Sequence, residues 1–323
     1  MNLVTRDGRL PKGFVLAKPI AQEGYNEAAI YELERRRRLI ITRKRDGWKM
    51  FAVVGSDKKV RLFTDGLNEI DSRLDHIREE IRSLRLPSGT VLIGEAIADL
   101  DDSDDLGKVI SVFHSSNDKS IKFQEVNGEV KFMIFGTIFS DARDVMPYVV
   151  SSQWTSGLLF ERALSYVFTA PVLGVSYNEA KRIVVEKGWE GLVLYDKDYN
   201  LTYRTDGKAP KRPEGCYKWK PILEDDFIVR EWIARPDGTV KDLVLSQLDP
   251  SSKEFYCGKL GSFSSEMRRK LSSVDYPIVV QAAFETRYPK TGKIRNARFL
   301  HIRTDKPVHQ CTAPKSYPEA EYN

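Results

Sequence analysis

Hydrophobic positions along this chain recur with two periods, and the period changes where turn residues intervene. Leu39, Ile40 and Ile41 make a short apolar run that predicts a strand leading into Lys44-Arg45-Asp46-Gly47. Stretches at about 48–54 and 59–64 predict a hairpin. Leu67, Ile70, Leu74, Ile77, Ile81 and Leu84 then recur at spacings of three and four, the mark of an amphipathic helix. Before them, Asn26 is placed to cap a helix running to Arg38, with Ala29, Ile30 and Leu33 on one face. Pro87-Ser88-Gly89 turns the chain into a strand over 90–98. Residues 121–139 read as a hairpin around Asn127-Gly128. A helix is predicted at 157–167, and Ser176 with Glu179 forms a capping box for another through Lys187. Strands at 191–195 and 216–220 close this half.

After Pro221 the texture changes. Strands are predicted at about 226–235, 239–248, 253–259, 278–287 and 297–303, with one helix near 264–272. Five short strands and a helix suit a small Greek-key barrel of the OB type. The fold class is therefore α+β. The expected domains are 1–221, an OB-fold β-barrel over 222–310, and a C-terminal tail over 311–323, with poor order expected after Pro307.

Composition adds bounds. A chain of 323 residues, 41% hydrophobic and 30% charged, supports two cores and a soluble protein. No run approaches the ~18 apolar residues of a membrane span. Three scattered cysteines form no disulfide framework or paired zinc motif, which favours a cytoplasmic protein. Only four histidines are available for histidine chemistry. The net charge of +5 permits a nucleic-acid partner without requiring one.

Candidate chemistry starts at Lys44. A lysine leaving a strand into an Asp-Gly turn sits on a stiff support, which suits a nucleophilic amine; the same residues also suit an ordinary basic hairpin turn. Gly94-Glu95 lies inside an apolar strand, where a carboxylate is costly unless paired, bound to metal or facing water at an edge. Phe135 in Lys131–Gly136 reads alone as core. Glu190-Gly191 opens a buried strand. Lys218 and Lys220 fall on one strand face, as a phosphate site or as solvated edge lysines. Arg303-Thr304-Asp305-Lys306 ends the predicted barrel. The acidic loop 101–105 and the run Arg35–Arg38 read as solvated faces.

Taken in order, these motifs resemble those of the covalent nucleotidyltransferases: ATP-dependent DNA ligases, RNA ligases and capping enzymes. The resemblance covers roughly residues 14–307. It implies a nucleotidyltransferase (ATP-grasp-like) domain of antiparallel sheets and helices before the OB-fold. It implies that Lys44 takes AMP from ATP as a lysine–nucleotide phosphoramidate, with Arg43, Arg45 and a metal lowering the lysine pKa. Lys49 stands where the family often has arginine and would hold the nucleotide as a point charge. By the same resemblance Thr42 contacts the base and Phe135 stacks on the purine. Glu95 contacts the ribose or a metal-bound water, and Glu190 positions Mg2+. Lys218 and Lys220 contact the α-phosphate, while Arg303 and Lys306 orient the leaving pyrophosphate. Gly136 departs from the Asp common after the aromatic. Asp65 departs from an arginine that in DNA ligases grips nick phosphates, a loss that Arg61 or Arg73 could make good.

The implied function is an ATP-dependent DNA ligase, a monomer sealing nicked double-stranded DNA or RNA-containing strands, with no membrane partner. No added DNA-binding domain is evident before residue 14, an economy that by analogy fits a viral or accessory bacterial enzyme. A capping guanylyltransferase, an RNA ligase and a non-enzymatic OB-fold nucleic-acid-binding protein are the alternatives.

Overall fold

The computed structural model describes residues 3–5, 7–98, 105–139, 155–157, 159, 164–288 and 291–313. The chain divides into two units, Met1–Lys220 and Pro221–Asn323.

The first unit is built on two sheets. Strands β1 (Leu39–Lys44), β2 (Trp48–Val54), β3 (Val60–Thr64), β4 (Val91–Ile97), β5 (Lys131–Ile138), β6 (Val167–Thr169), β7 (Gly191–Asp196) and β8 (Cys216–Trp219) supply them. One sheet is five-stranded in the order β3-β2-β4-β5-β6; the other is three-stranded, β8-β7-β1. All pairs are antiparallel except β5 with β6.

Alternation along β2 shows why the layers stack. Met50, Ala52 and Val54 face one core, which Leu74, Ile77 and Ile81 share; the last two lie on helix α2 (Asp75–Ser83). Phe51 and Val53 face a second core, shared with Ile40, Tyr195 and Cys216 of the smaller sheet. The other side of that sheet (Ile41, Leu192, Leu194, Trp219) packs on Ile30 and on Tyr177, Ala180 and Val184. Ile30 belongs to helix α1 (Glu27–Arg35). The other three belong to a later helix, Tyr177–Lys187. Each strand of the middle layers is thus apolar on both faces, except where the two sheets open around polar residues.

Several elements depart from their sequence patterns. Helix α1 is capped by the Asn26 side chain, which accepts from the Ala28 N–H at 3.0 Å, but it ends at Arg35. Arg37 is left-handed (φ 54°), and Arg38 bonds Asp196 at 2.8–3.0 Å. Arg35 and Arg36 hold Glu32. Three of the four arginines in the basic run are therefore paired within the protein. The helix predicted from Leu67 starts only at Asp75, because Leu67 is left-handed and the Ile70 N–H bonds Leu62. Ile70 still reaches the same core, so the spacing reported burial rather than helix.

The hairpin predicted at 121–139 is half wrong. Helices α3 (Leu106–His114) and α4 (Asn117–Asn127) precede β5, and Asn127-Gly128 ends a helix instead of joining two strands. Glycine serves both turns equally well. Buried Gln124 fixes the helix, donating to the Arg73 carbonyl at 2.9 Å and accepting from the Val130 N–H at 3.2 Å. Helix α5 (Tyr177–Lys187) begins with Ser176 accepting from the Glu179 N–H and ends at left-handed Gly188. Most of the acidic loop at 101–105, and several positions of the helix expected at 157–167, lie outside the described residues.

The second unit contains β9 (Leu223–Val229), β10 (Trp232–Ala234), β11 (Val240–Leu248), β12 (Glu254–Leu260), helix α6 (Ser265–Ser272), β13 (Ile278–Phe284) and β14 (Arg298–Ile302). They form a six-stranded sheet, β10-β11-β9-β13-β14, with β12 also on β11. No pair joins β12 to β14 among the described residues, so the sheet is open where a closed barrel was expected. Phe227, Leu243, Leu245, Leu260, Leu271 and Val280 fill its core. The expected loose tail is also corrected in part. Cys311 and Ala313 are buried, and the Ala313 N–H bonds Leu248 at 2.8 Å. Both are small apolar residues, and Cys311 completes a cluster with Ile228 and Val279.

Candidate active site

Register between the strands of the small sheet gathers the lysines. Lys44 lies opposite Gly191 and Thr42 opposite Val193; on the other side of β7, Lys218 also lies opposite Val193. Trp219 faces Leu192, so Lys220 follows onto the row of Gly191 and Lys44. Side chains in such rows share a face. Glu190 enters β7 at this end and binds two of them. Lys44 Nζ donates to Glu190 Oε2 at 2.6 Å, and Lys220 Nζ lies 3.0 Å from Oε1. Gly191 is required here by space, because a Cβ would stand 2.2 Å from the Trp219 carbonyl oxygen.

The large sheet supplies the opposite wall. Lys49, Glu95 and Met133 form one cross-strand row. Gly94 pairs with Ile134 and Ile93 with Gly136, so Phe135 is the extra residue of a β-bulge. A bulge re-aims one side chain out of the alternation, and Phe135 is turned into the cavity between the sheets. Gly47 is close-packed: a Cβ there would lie 2.3 Å from the Ala96 carbonyl and 2.7 Å from Glu95 Cγ. The Asp-Gly pair thus lets the chain after Lys44 pass against the Glu95 strand.

Thr42, Arg43, Lys44, Lys49, Glu95 and Phe135 all line this cavity. Thr42 is buried, with its hydroxyl toward the Val193 carbonyl at 3.4 Å. The Arg43 guanidinium stacks on Trp189 at 4.4 Å. Lys49 is held by Asp65 at 2.8 Å. Lys218 shares the sheet face but is not among the cavity residues. Arg303 and Lys306 belong to the second unit, where both bind the buried carboxylate of Asp226, at 3.0 and 2.8 Å. Arg303 also binds Asp305 at 2.8 Å. The two arginines expected to offset Asp65 are engaged elsewhere. Arg61 grips Asp57 at 2.8 Å, and Arg73 donates to the carbonyls of Val112, Phe113 and Ser115. Sequence reasoning missed the cavity's apolar wall, which includes Leu16, Tyr195, Tyr199 and Leu201. Their alternation marks them only as core.

Burial pushes the Glu95 carboxyl up to about 7; Lys44 and Lys49 oppose that rise and Glu190 adds to it. Cys216 also lines the cavity, but burial pushes its thiol up to about 12, so it is a poor nucleophile at neutral pH. Two carboxylates beside the lysines suit a divalent cation. Glu95, half-buried and disfavoured as an anion, gains from one, and no group of three or more potential ligands occurs among the described residues. Magnesium binds in this way, taking one or two carboxylates and completing its shell with phosphate and water.

A pH dependence follows. Glu95 binds its proton more tightly in the folded chain than at its ordinary value of 4.5. Its contribution to stability is present in full below that value and lost as pH rises through about 7. The melting temperature of the nucleotide-free, metal-free protein should therefore fall between pH 4.5 and about 7 more steeply than that of Glu95→Gln. Parallel curves for the two proteins would contradict this burial.

Two solved structures share this arrangement of strands and helices. A Lig E DNA ligase, described as binding DNA with a minimal scaffold, matches 90% of this chain and 99% of its own, with a TM-score of 0.63 and 18% identity. The structure designated Pmar-Lig_Pre matches 91% of this chain and 69% of its own, with a TM-score of 0.65 and 18% identity. No protein-family model and no curated protein matches the chain. At this identity the likeness is one of fold, and the shared fold is that of a DNA ligase. No helix among the described residues is long and apolar enough to cross a membrane.

Proposed function

We propose that the protein is an ATP-dependent polynucleotide ligase whose substrate is nicked duplex DNA. The observation that carries this reading is the Lys44–Glu190–Lys220 constellation, whose Lys44 lines the cavity, in a fold shared with a DNA ligase.

Lys44 Nζ attacks the α-phosphorus of ATP; the N–P bond forms, the bond to the β-phosphate breaks, and pyrophosphate leaves. Glu190 holds Nζ in position and is the nearest acceptor for its proton. Lys220 and Lys218 steady the α-phosphate. Phe135 faces the purine, Thr42 the edge of the base, and Lys49 the ribose or phosphate side. Glu95 and Glu190 would hold magnesium, which supplies neutralisation of the phosphate charge. A 5′-phosphate oxygen then takes AMP from Lys44, breaking the N–P bond. The 3′-hydroxyl finally attacks that 5′-phosphorus, and AMP leaves. All three steps are phosphoryl transfers, in which positioning and electrostatics dominate.

We read the second unit as an OB-type module that brings Arg303 and Lys306 to the leaving pyrophosphate. The connectivity of β9, β11, β12, α6, β13 and β14 supports this. It requires Asp226 to release both cations. The unpaired, buried cysteines suit a reducing compartment.

The deciding experiment incubates the protein with magnesium and either α-labelled ATP or α-labelled GTP, then reads label on the denatured chain. Label from ATP alone is expected, followed by sealing of nicked DNA in preference to nicked RNA. Label from GTP alone would make it a capping-type enzyme. No label from either, in protein free of prior adenylylation, would favour a binding protein.

A further inference from the structure

Resting on the ligase reading, we propose that an exposed basic ridge beside the cavity binds the sugar–phosphate backbone of the duplex. It is formed by the loop between β7 and β8 and the N-terminal segment. Val15 and Leu16 pair with Arg204 and Tyr203, and the Gly207 N–H bonds the Gly13 carbonyl at 2.9 Å. A Cβ on Gly13 would lie 2.4 Å from the Thr205 carbonyl, so the two segments are packed backbone on backbone. Lys12, Lys18, Lys208, Lys211 and Arg212 are all exposed on these segments.

Neutralisation within the protein does not account for them. No carboxylate pairs with any of the five among the described residues. The acid at the centre of the loop, Asp206, is occupied by Arg204 and by the Lys208 N–H at 3.1 Å. By contrast Arg35, Arg36, Arg38, Arg61, Arg73, Lys49, Arg303 and Lys306 are all tied to carboxylates. Leaving five cations unpaired on one ridge costs self-repulsion that a polyanion relieves.

The ligand class follows from shape and composition. Lys18, with Leu16, Ala17 and Pro19, lines the cavity rim, so the ridge continues outward from the nucleotide site. Lys12, Lys208, Lys211 and Arg212 are not cavity residues, so a nucleotide bound in the cavity does not account for them. Pro210 and Pro213 flank Lys211 and Arg212 and fix the local backbone. Between the cations stand Thr205, Gly207 and Ala209, which offer no ring for a base to stack on. The rings on these segments, Phe14 and Tyr203, pack on each other and neither is exposed, so a stiff ridge of lysine and arginine reads phosphates and not sequence.

The test compares wild type with Lys208→Ala/Lys211→Ala/Arg212→Ala, all exposed positions. Fluorescence anisotropy with a nicked DNA duplex is measured across a salt series, and adduct formation with labelled ATP is measured alongside. The variant should bind the duplex about 10- to 100-fold more weakly at moderate salt, with a salt slope shallower by about three. Its adduct formation should be unchanged. The charge-keeping variant Lys208→Arg/Lys211→Arg/Arg212→Lys should retain the wild-type slope. An unchanged slope in the alanine variant, a lost slope in the charge-keeping one, or loss of adduct formation in either would overturn the proposal. The two readings fail separately. Duplex binding through the ridge without an adduct defeats the ligase reading alone; adduct formation and sealing with a wild-type slope in the alanine variant defeats the ridge alone.

Discussion

Lys44→Ala should carry no nucleotide label under conditions that fully label the wild-type chain, and its sealing of nicked duplex should fall by at least about four orders of magnitude. The expectation is this large because covalent catalysis has no substitute for the attacking atom. Lys220 also reaches Glu190, but from just past the end of β8, and its ammonium answers the other carboxylate oxygen. Cys216 shares the cavity with a thiol held near 12 by burial. The substitution should leave the fold intact. Lys44 is a half-buried residue at a strand end, and its backbone pairing with Gly191 does not depend on the side chain. Denaturant unfolding should shift by about 1 kcal/mol or less. Label on the Lys44→Ala chain would remove the assignment outright. A collapsed fold would mean that Lys44 is structural.

Glu190→Ala is the second large expectation: a drop in adduct formation on the order of 100- to 1000-fold. One carboxylate holds two ammonium groups, at 2.6 and 3.0 Å, and its side chain is 8% exposed. Removing it leaves Lys44 and Lys220 facing each other with no anion between them. The nucleophile loses its orientation as well as its nearest proton acceptor. Glu190→Gln separates these effects. The amide can still accept one hydrogen bond but cannot neutralise two cations or bind magnesium well. A magnesium titration of adduct formation should therefore move to higher concentration in Glu190→Gln, with the maximal rate also reduced. Undiminished labelling in Glu190→Ala, at every magnesium concentration, would show that the carboxylate only packs.

Asp226 has a parallel position in the second unit, where one buried carboxylate also holds two cations, Arg303 and Lys306. In both places a single acid fixes a pair of basic residues that the motifs alone present as independent.

The strand and helix pattern was legible wherever local chemistry and tertiary packing agreed. β2 and β3 alternate cleanly because each face meets a different core. Helix α5 carries its own cap and terminal glycine. Errors arose where one signal serves two structures. Asn127-Gly128 suits a hairpin and a helix end alike, and buried Gln124 decides between them through bonds to Arg73 and Val130, far away in sequence. The spacing from Leu67 to Leu84 predicts one helix, yet its first members reach the core from a turn. The open sheet of the second unit was likewise undecided by pattern, because alternation sets which face is apolar and not which strands pair.

By itself the sequence determined which residue types could do the chemistry: an amine at a strand end, carboxylates in apolar strands, and lysines two apart. Those follow from local periodicity and from the cost of burying charge. Only the tertiary structure decided the rest. Cross-strand register set Glu190 between Lys44 and Lys220, a bulge turned Phe135 into the cavity, and close backbone approach required Gly47 and Gly191. Asp65 was engaged by Lys49, while Lys208, Lys211 and Arg212 were left without a carboxylate partner. These depend on strands distant in sequence meeting in a particular register, and a one-residue slip would send every one of those side chains to the opposite face.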